Sequence, residues 1–264
     1  MQTNLTVLFI GDIVGKIGRK AVSSSINKIK KEFGVDFTVI NIENSADGFG
    51  LNKKTYTEIE PYADACTAGN HTWDRSEMVQ DIDLMNKLVR PVNLPDGIPG
   101  SGYLITQKND VKILIINALG RIFMNPVDNP FFAIKNLLKK DEFQDIKIKI
   151  VDFHAEATSE KEALGWFLDG KVSAVIGTHT HVQTADERIL PQGTAYISDA
   201  GMTGCHDGVL GFEKEQALER LLTYMPNRLK VCKDNPKING CIVKINKESG
   251  KAVSITRINR SCDI

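Results

Sequence analysis

The run "AVIGTHTHVQTAD", Ala174 to Asp186, ends an apolar, strand-like stretch by presenting His179 and His181 two positions apart. Residues i and i+2 of an extended chain point to the same side, so this spacing aims two imidazoles at one spot. Imidazole nitrogens bind transition metals and move protons near neutral pH. An isolated pair of this kind is ordinary in loops, and its meaning depends on what else the chain brings nearby. Donors of the same chemistry follow other apolar runs: Asp12 after "LTVLFI", Glu43 and Asn44 after "VINI", Asn70 and His71 in "CTAGNHTWD", and His154 after "KIKIVDF". Four of the five histidines stand at such positions, which makes a scatter of unrelated loop residues a poor explanation.

Taken singly, Asp12 would serve equally as a helix cap and Asn70 as a turn residue after Gly69. Glu43 is harder to dismiss, because a carboxylate emerging from a buried strand is costly unless it is paired or bound to a metal. A catalytic zinc takes about three protein ligands. The seven candidates Asp12, Glu43, Asn44, Asn70, His154, His179 and His181 overfill one ion. Two cations about 3.5–4 Å apart would use them, with Glu43 as the shared carboxylate and a bridging hydroxide as nucleophile. The donors are nitrogen and oxygen without thiolate, so two divalent or trivalent ions of iron, manganese, zinc or cobalt all suit them.

These donors need a scaffold that brings strand ends together. Apolar runs of strand length recur at "LTVLFI", "DFTVINI", "DACTA", "KILIINA", "KIKIVDF", "VSAVIG" and "TAYIS". Amphipathic stretches lie between several of them: "GRKAVSSSINKIKKEFG" stopping at Gly34, "SEKEALGWFLDG" with Ser159 as N-cap, and "FEKEQALERLLTYM" closed by Pro226. Two further stretches, "SGYLITQKNDVKILIINA" and "CIVKINKESGKAVSITRI", read as hairpins. The pattern predicts a mixed α/β domain spanning residues 1–264. In such folds functional groups collect beyond the carboxyl ends of the strands, so the donors are expected at a single sheet edge. The glycine-rich loop "SDAGMTGCHDG", Ser198 to Gly208, reads as a substrate cover, a subunit contact or a mobile turn, with His206 solvated.

Composition excludes several function classes. The 33 basic and 33 acidic residues balance, so no global field draws the chain to long nucleic acid or to an anionic membrane. A small charged substrate remains compatible, as does a homo-oligomer. Five cysteines without a CxxC pair argue against a disulfide framework and a thiolate zinc site, and indicate a reducing, cytoplasmic setting. The N-terminal apolar run is short and interrupted by Asp12, and reads as a strand, not a signal or membrane segment. A dinucleotide site fails because Gly11, Gly15 and Gly18 do not make GxGxxG.

The blocks "GDIV", "IEN", "GNHTWD", "DFHAE" and "GTHTH" occur in that order over residues 11 to 181. They resemble the calcineurin-like metallophosphoesterases, whose pattern is GDxH, GD, GNHE, a lone His and GHxH. Val14 stands in place of a histidine, Glu43 in place of the bridging aspartate, and Thr72 in place of a glutamate. With "SADGFGL" and "YISDAGMTG", these departures resemble the YmdB branch. The resemblance implies a four-layer α/β/β/α sandwich with two mixed sheets. It implies one metal on Asp12, Glu43, Asn44 and His181, with Asn44 compensating for the lost histidine. The other metal would lie on Glu43, Asn70, His154 and His179, with iron or manganese foremost. His71 is implied as general acid, and hydrolysis of small phosphodiesters, notably 2′,3′-cyclic nucleotides, as the activity. The rival expectation is a metal-binding regulatory protein with little turnover, acting through a protein or RNA partner.

Overall fold

The computed structural model describes residues 3–264. One sheet contains β1 (Asn4–Ile10), β2 (Asp12–Ile13), β3 (Phe37–Asn41), β4 (Ala65–Thr67) and β5 (Leu88–Val89). The other contains β6 (Tyr103–Lys108), β7 (Val111–Leu119), β8 (Ile148–His154), β9 (Ala174–Thr178), β10 (Arg188–Ile189) and β11 (Ala195–Ile197). The chain then returns to the first sheet with β12 (Met202–Cys205), β13 (Pro236–Asn246) and β14 (Ala252–Ser261). The strand orders are β2-β12-β13-β1-β3-β4-β5, with β14 beside β13, and β10-β11-β9-β8-β7-β6. Both sheets are mixed. Parallel cores β1, β3, β4, β5 and β7, β8, β9, β11 carry antiparallel neighbours β13 and β6.

Strand parity builds the layers, because alternate residues of a pleated strand face opposite sides. Leu5, Val7 and Phe9 of β1 point into a core shared with Ile113 and Ile115 of β7 and with Ile148 and Ile150 of β8. Leu8 and Ile10 point the other way, onto Ala21, Val22, Ile26 and Ile29 of α1 (Gly15–Phe33). On the far side, Leu114 and Ile116 of β7 meet α4 (Pro130–Leu138) through Ile134 and Leu137, and α5 (Thr158–Leu168) through Leu164 and Leu168. The central strands of both sheets are thus buried on both faces, which is why they read as continuous apolar runs. The result is the four-layer α/β/β/α sandwich. Helices α2 (Lys53–Ile59), α3 (Met78–Asp81) and α6 (Lys214–Thr223) complete it.

Gly34 ends α1 in the left-handed conformation, its amide bonded to the Lys30 carbonyl. The β6–β7 turn places Asn109 and Asp110 at φ 47° and 61°, as a two-residue hairpin demands. Four details differ from the sequence reading. Helix α5 begins at Thr158 after Ala157, so Ser159 lies inside the helix and caps nothing. Tyr224, at φ 57°, ends α6 before Pro226 is reached. The Ser198–Gly208 stretch is no mobile turn: residues 198–205 are buried, and β12 pairs with β2 and β13. Cys205 and Cys232 form a disulfide, Cα atoms 5.7 Å apart, which a count of CxxC motifs cannot find because 27 positions separate them. Among the described residues no helix is long and apolar enough to cross a membrane.

Candidate metal centre

The donors gather where the carboxyl ends of both sheets meet, not at one sheet edge. Asp12, Glu43, Asn44, Asn70 and His71 follow β1, β3 and β4, whereas His154, His179 and His181 come from β8 and β9 of the opposite sheet. Register aligns the ends: Asn41 pairs with Thr67 in one sheet and His154 with Thr178 in the other. Asn41 ties the sheets together beneath the site. Its amide donates to Asp152 on β8 at 2.9 Å, and its carbonyl oxygen accepts from the backbone N–H of Glu43 at 3.0 Å.

Glu43, His154 and His179 form the tightest group, with donor atoms within 4.8 Å of one another. His154 Nε2 lies 3.1 Å from Glu43 Oε2, 3.0 Å from Asn70 Oδ1 and 3.0 Å from His179 Nδ1. The tautomer makes this arrangement informative. The Thr178 hydroxyl donates to Asp152 Oδ1 at 2.6 Å and so must accept from His154 Nδ1, 2.9 Å away. The proton of a neutral His154 therefore sits on Nδ1, and Nε2 turns a lone pair toward carboxylate and amide oxygens. Burial enforces neutrality, pushing the His154 pKa down to about 4 and that of His179 to about 3. Acceptors crowding acceptors are repulsive unless a cation sits among them.

Asp12 is fully buried, and its Oδ2 accepts from the backbone N–H of His179 at 3.1 Å while Oδ1 has no partner. Glu43 Oε2 and Asn44 Oδ1 are likewise buried without a hydrogen-bond partner. Burial raises the pKa of both Asp12 and Glu43 to about 7, the cost that a bound cation would offset. Asn44 Nδ2 lies 3.2 Å from His181 Nε2, and His181 Nδ1 donates to the Leu210 carbonyl at 3.1 Å. Asp12 and His181 fall outside the tight trio, so the second expected ligand set is compact and the first is looser. Gly69 is required by proximity. A Cβ there would overlap Glu43 Oε2 and come within 2.6 Å of His154 Cδ2.

The geometry of the histidine pair differs from the extended-chain reading. Strand β9 stops at Thr178, and His179 and His181 adopt φ 102° and 65°, left-handed values rare for residues other than glycine. A turn, not a pleat, aims both rings inward. Thr180 between them is held by Asp199 Oδ2, which accepts its N–H at 3.0 Å and its hydroxyl at 2.8 Å. The buried Lys161 ammonium neutralises that carboxylate at 2.7 Å. The amino-acid sequence offers no motif for Asp199, Lys161, Asp152 or Thr178: Lys161 is interior to α5, Asp152 and Thr178 lie in strands, and Asp199 lies in the loop between β11 and β12.

His71 borders a cavity of about 240 Å³, whose lining includes Asn44, Phe49, His179, His181 and Phe212. Its Nδ1 faces Asp74 Oδ2 at 2.6 Å, and its Nε2 makes no hydrogen bond among the described residues. Phe49 packs edge-on to the His71 ring at 5.5 Å and stacks on Phe212 at 4.9 Å. Thr72, where the family pattern has glutamate, is buried and donates to the Gly69 carbonyl at 2.6 Å, holding the turn that carries Asn70 and His71.

Residues 8–258 match the family model described as YmdB-like protein. The chain belongs to the YmdB-like family. It is 48% identical over 255 residues, 96% of each chain, to the 2′,3′-cyclic-nucleotide 2′-phosphodiesterase of Bacillus subtilis (strain 168). A crystal structure of a novel phosphatase from Mycoplasma pneumoniae superposes with a TM-score of 0.91 at 34% identity, covering 100% of this chain and 95% of that one. Haemophilus influenzae NAD nucleotidase shares only the fold with this YmdB-like chain. Its TM-score is 0.61 at 14% identity, over 98% of this chain and 56% of that one.

Proposed function

We propose that this YmdB-like chain is a metal-dependent phosphodiesterase that opens 2′,3′-cyclic nucleotides, and that the unit spanning residues 1–264 carries the activity. The observation that carries the reading is the convergence of Glu43 Oε2, Asn70 Oδ1, His154 Nε2 and His179 Nδ1, with bare Asp12 Oδ1 and Asn44 Oδ1 nearby. Sequence similarity to the Bacillus subtilis phosphodiesterase supports the substrate class. The donor set suits two transition-metal ions, iron or manganese foremost, with zinc and cobalt compatible. Glu43, Asn70, His154 and His179 would hold one, and Asp12, Glu43, Asn44 and His181 the other.

Bound ions supply a water activated for attack and charge to balance the phosphate. The chain's own residues do the rest. Thr178 and Asp152 keep the His154 proton on Nδ1 and its lone pair directed at the site. Asp74 fixes the His71 ring so that Nε2 faces the cavity, where it protonates the ribose oxygen released when the P–O bond to the 2′-oxygen breaks. Phe49 and Phe212 give the small cavity an apolar wall.

The test is turnover of 2′,3′-cyclic mononucleotides by the purified protein together with elemental analysis. The expected result is about two transition-metal ions per chain, and a loss of roughly 10²-fold or more in kcat for His71→Asn with metal content unchanged. A regulatory protein with little turnover would instead keep its biological effect in the Glu43→Gln and His71→Asn variants. A metal-free protein, or turnover indifferent to both substitutions, would overturn the reading.

A further inference from the structure

A substrate held by a cyclic phosphate at its 2′ and 3′ oxygens has one position left for chain extension, the 5′ oxygen. What adjoins the active-site cavity therefore bears on the choice between mononucleotide and oligonucleotide. Phe49, 38% exposed, lines the 240 Å³ cavity and also a larger neighbouring one of about 680 Å³. The larger cavity is bordered by Lys16, Arg75, Arg220, Arg228, Lys230 and Lys233, against a single acid, Asp47. Through Lys16 and Lys233 it continues into a third cavity of about 740 Å³, where Lys20 adds another cation and Asp263 an acid.

This concentration is concealed by the even charge balance of the whole chain. Arg75 is occupied: it binds the Ala46 and Phe49 carbonyls and lies 3.7 Å from Asp47, fastening the loop between the cavities. The others are not. Among the described residues no carboxylate lies within 4.0 Å of the charged nitrogens of Lys16, Arg220, Arg228, Lys230 or Lys233. Six cations against one acid along a single groove concentrate positive potential there, which suits a polyanion. The wall is also anchored. Cys232 ties the segment bearing Arg228, Lys230 and Lys233 to β12 through its bond to Cys205.

An aromatic ring at the mouth of a groove of unpaired cations is the combination that binds single-stranded nucleic acid, bases stacking while phosphates meet lysine and arginine. We propose that the groove receives the 5′-phosphates of a short oligoribonucleotide whose 3′ end is a 2′,3′-cyclic phosphate. This rests on the phosphodiesterase reading above. The chain would open the cyclic end by adding water at phosphorus and breaking the bond to the 2′ oxygen, which takes a proton. The product carries a 3′-phosphate. The reaction class that must supply such an end is RNA cleavage in which the 2′-hydroxyl attacks the adjacent phosphate.

The experiment compares the metal-loaded protein on a 2′,3′-cyclic mononucleotide and on an RNA hexamer with the same terminal group. Binding of a 5′-labelled hexamer is followed in parallel by fluorescence anisotropy. At 50 mM salt the hexamer is expected to have a kcat/KM at least twentyfold higher. Three phosphate contacts would erase about twentyfold by 200 mM, since affinity for single strands falls with a logarithmic slope near −0.7 per contact. Combined Arg228→Ala, Lys230→Ala and Lys233→Ala should abolish the advantage while leaving mononucleotide turnover within twofold. Lys16→Ala, on α1, should lower it severalfold. Equal kcat/KM for the two substrates, or an advantage that survives the triple variant, overturns the proposal. An acidic peptide of matched charge that displaces the hexamer at equal concentration would reassign the groove to a protein partner and also overturns it. Absence of mononucleotide turnover would sink the underlying enzyme reading instead, and the anisotropy measurement tests the groove independently.

Discussion

The Thr178 hydroxyl, 2.9 Å from His154 Nδ1, fixes which face of that imidazole bears the lone pair, because its own proton is committed to Asp152. Replacing Thr178 with valine keeps the shape and removes the acceptor. The His154 proton can then move to Nε2, where it opposes a cation. Metal affinity in Thr178→Val is expected to fall 10- to 100-fold, as is usual when a partner of a ligating histidine is lost. Titration of the apo protein with Mn²⁺ measures this; unchanged affinity would show that the tautomer is set elsewhere.

Asp199 joins a buried lysine to the strained turn that carries His179 and His181. Asp199→Ala leaves the Lys161 ammonium buried without a counter-charge and frees Thr180. Loss of one partner of such a pair costs about 3–5 kcal/mol. Urea unfolding should register that loss, with metal content falling in parallel. The double change Lys161→Met with Asp199→Ala should recover much of the stability without recovering metal, because the turn stays untethered.

Gly69→Ala asks for one methyl group where Glu43 Oε2 already lies. The carboxylate must move, so metal binding and turnover should collapse by two orders of magnitude or more while the far-UV spectrum stays native. Full metal occupancy in this variant would contradict the packing described for Glu43.

Cysteine accessibility offers a test independent of the metal centre. Cys66, Cys241 and Cys262 are buried, and burial pushes the Cys66 thiol up to about 12 and that of Cys241 higher still. Reactivity follows the thiolate, so these groups should resist alkylation at pH 8 in the folded protein. Unfolded without reductant under air, the chain should show three reactive thiols, and five after reduction, as the Cys205–Cys232 bond requires. Five without reduction would refute that pairing.

Removing metal should leave Asp12 Oδ1, Glu43 Oε2 and Asn44 Oδ1 buried without partners. Binding at 100 times Kd is worth about 2.7 kcal/mol, which for a domain this size corresponds to roughly 5–10 °C in Tm. Chelation should lower Tm by that amount, and added metal should restore it; a Tm indifferent to chelator would argue against a resident ion.

The strands, the hairpins and the order of the chemistry-bearing blocks were legible in the sequence because each is a local property. Burial of β1 and β7 on both faces makes continuous apolar runs, a two-residue turn selects Asn109 and Asp110, and polar donors after strands stand out against apolar neighbours. The sequence therefore determined which residues are available for the site. Tertiary structure decided how they meet. That the donors come from two facing sheets, that Asn41 couples those sheets to Asp152, and that Asp199 braces the histidine turn all depend on residues 19 to 167 positions apart. The same holds for the basic groove, whose cations come from α1 and from the segment tied down by Cys232. A uniform charge total cannot reveal it, because charge separation is a property of the folded surface and not of the composition.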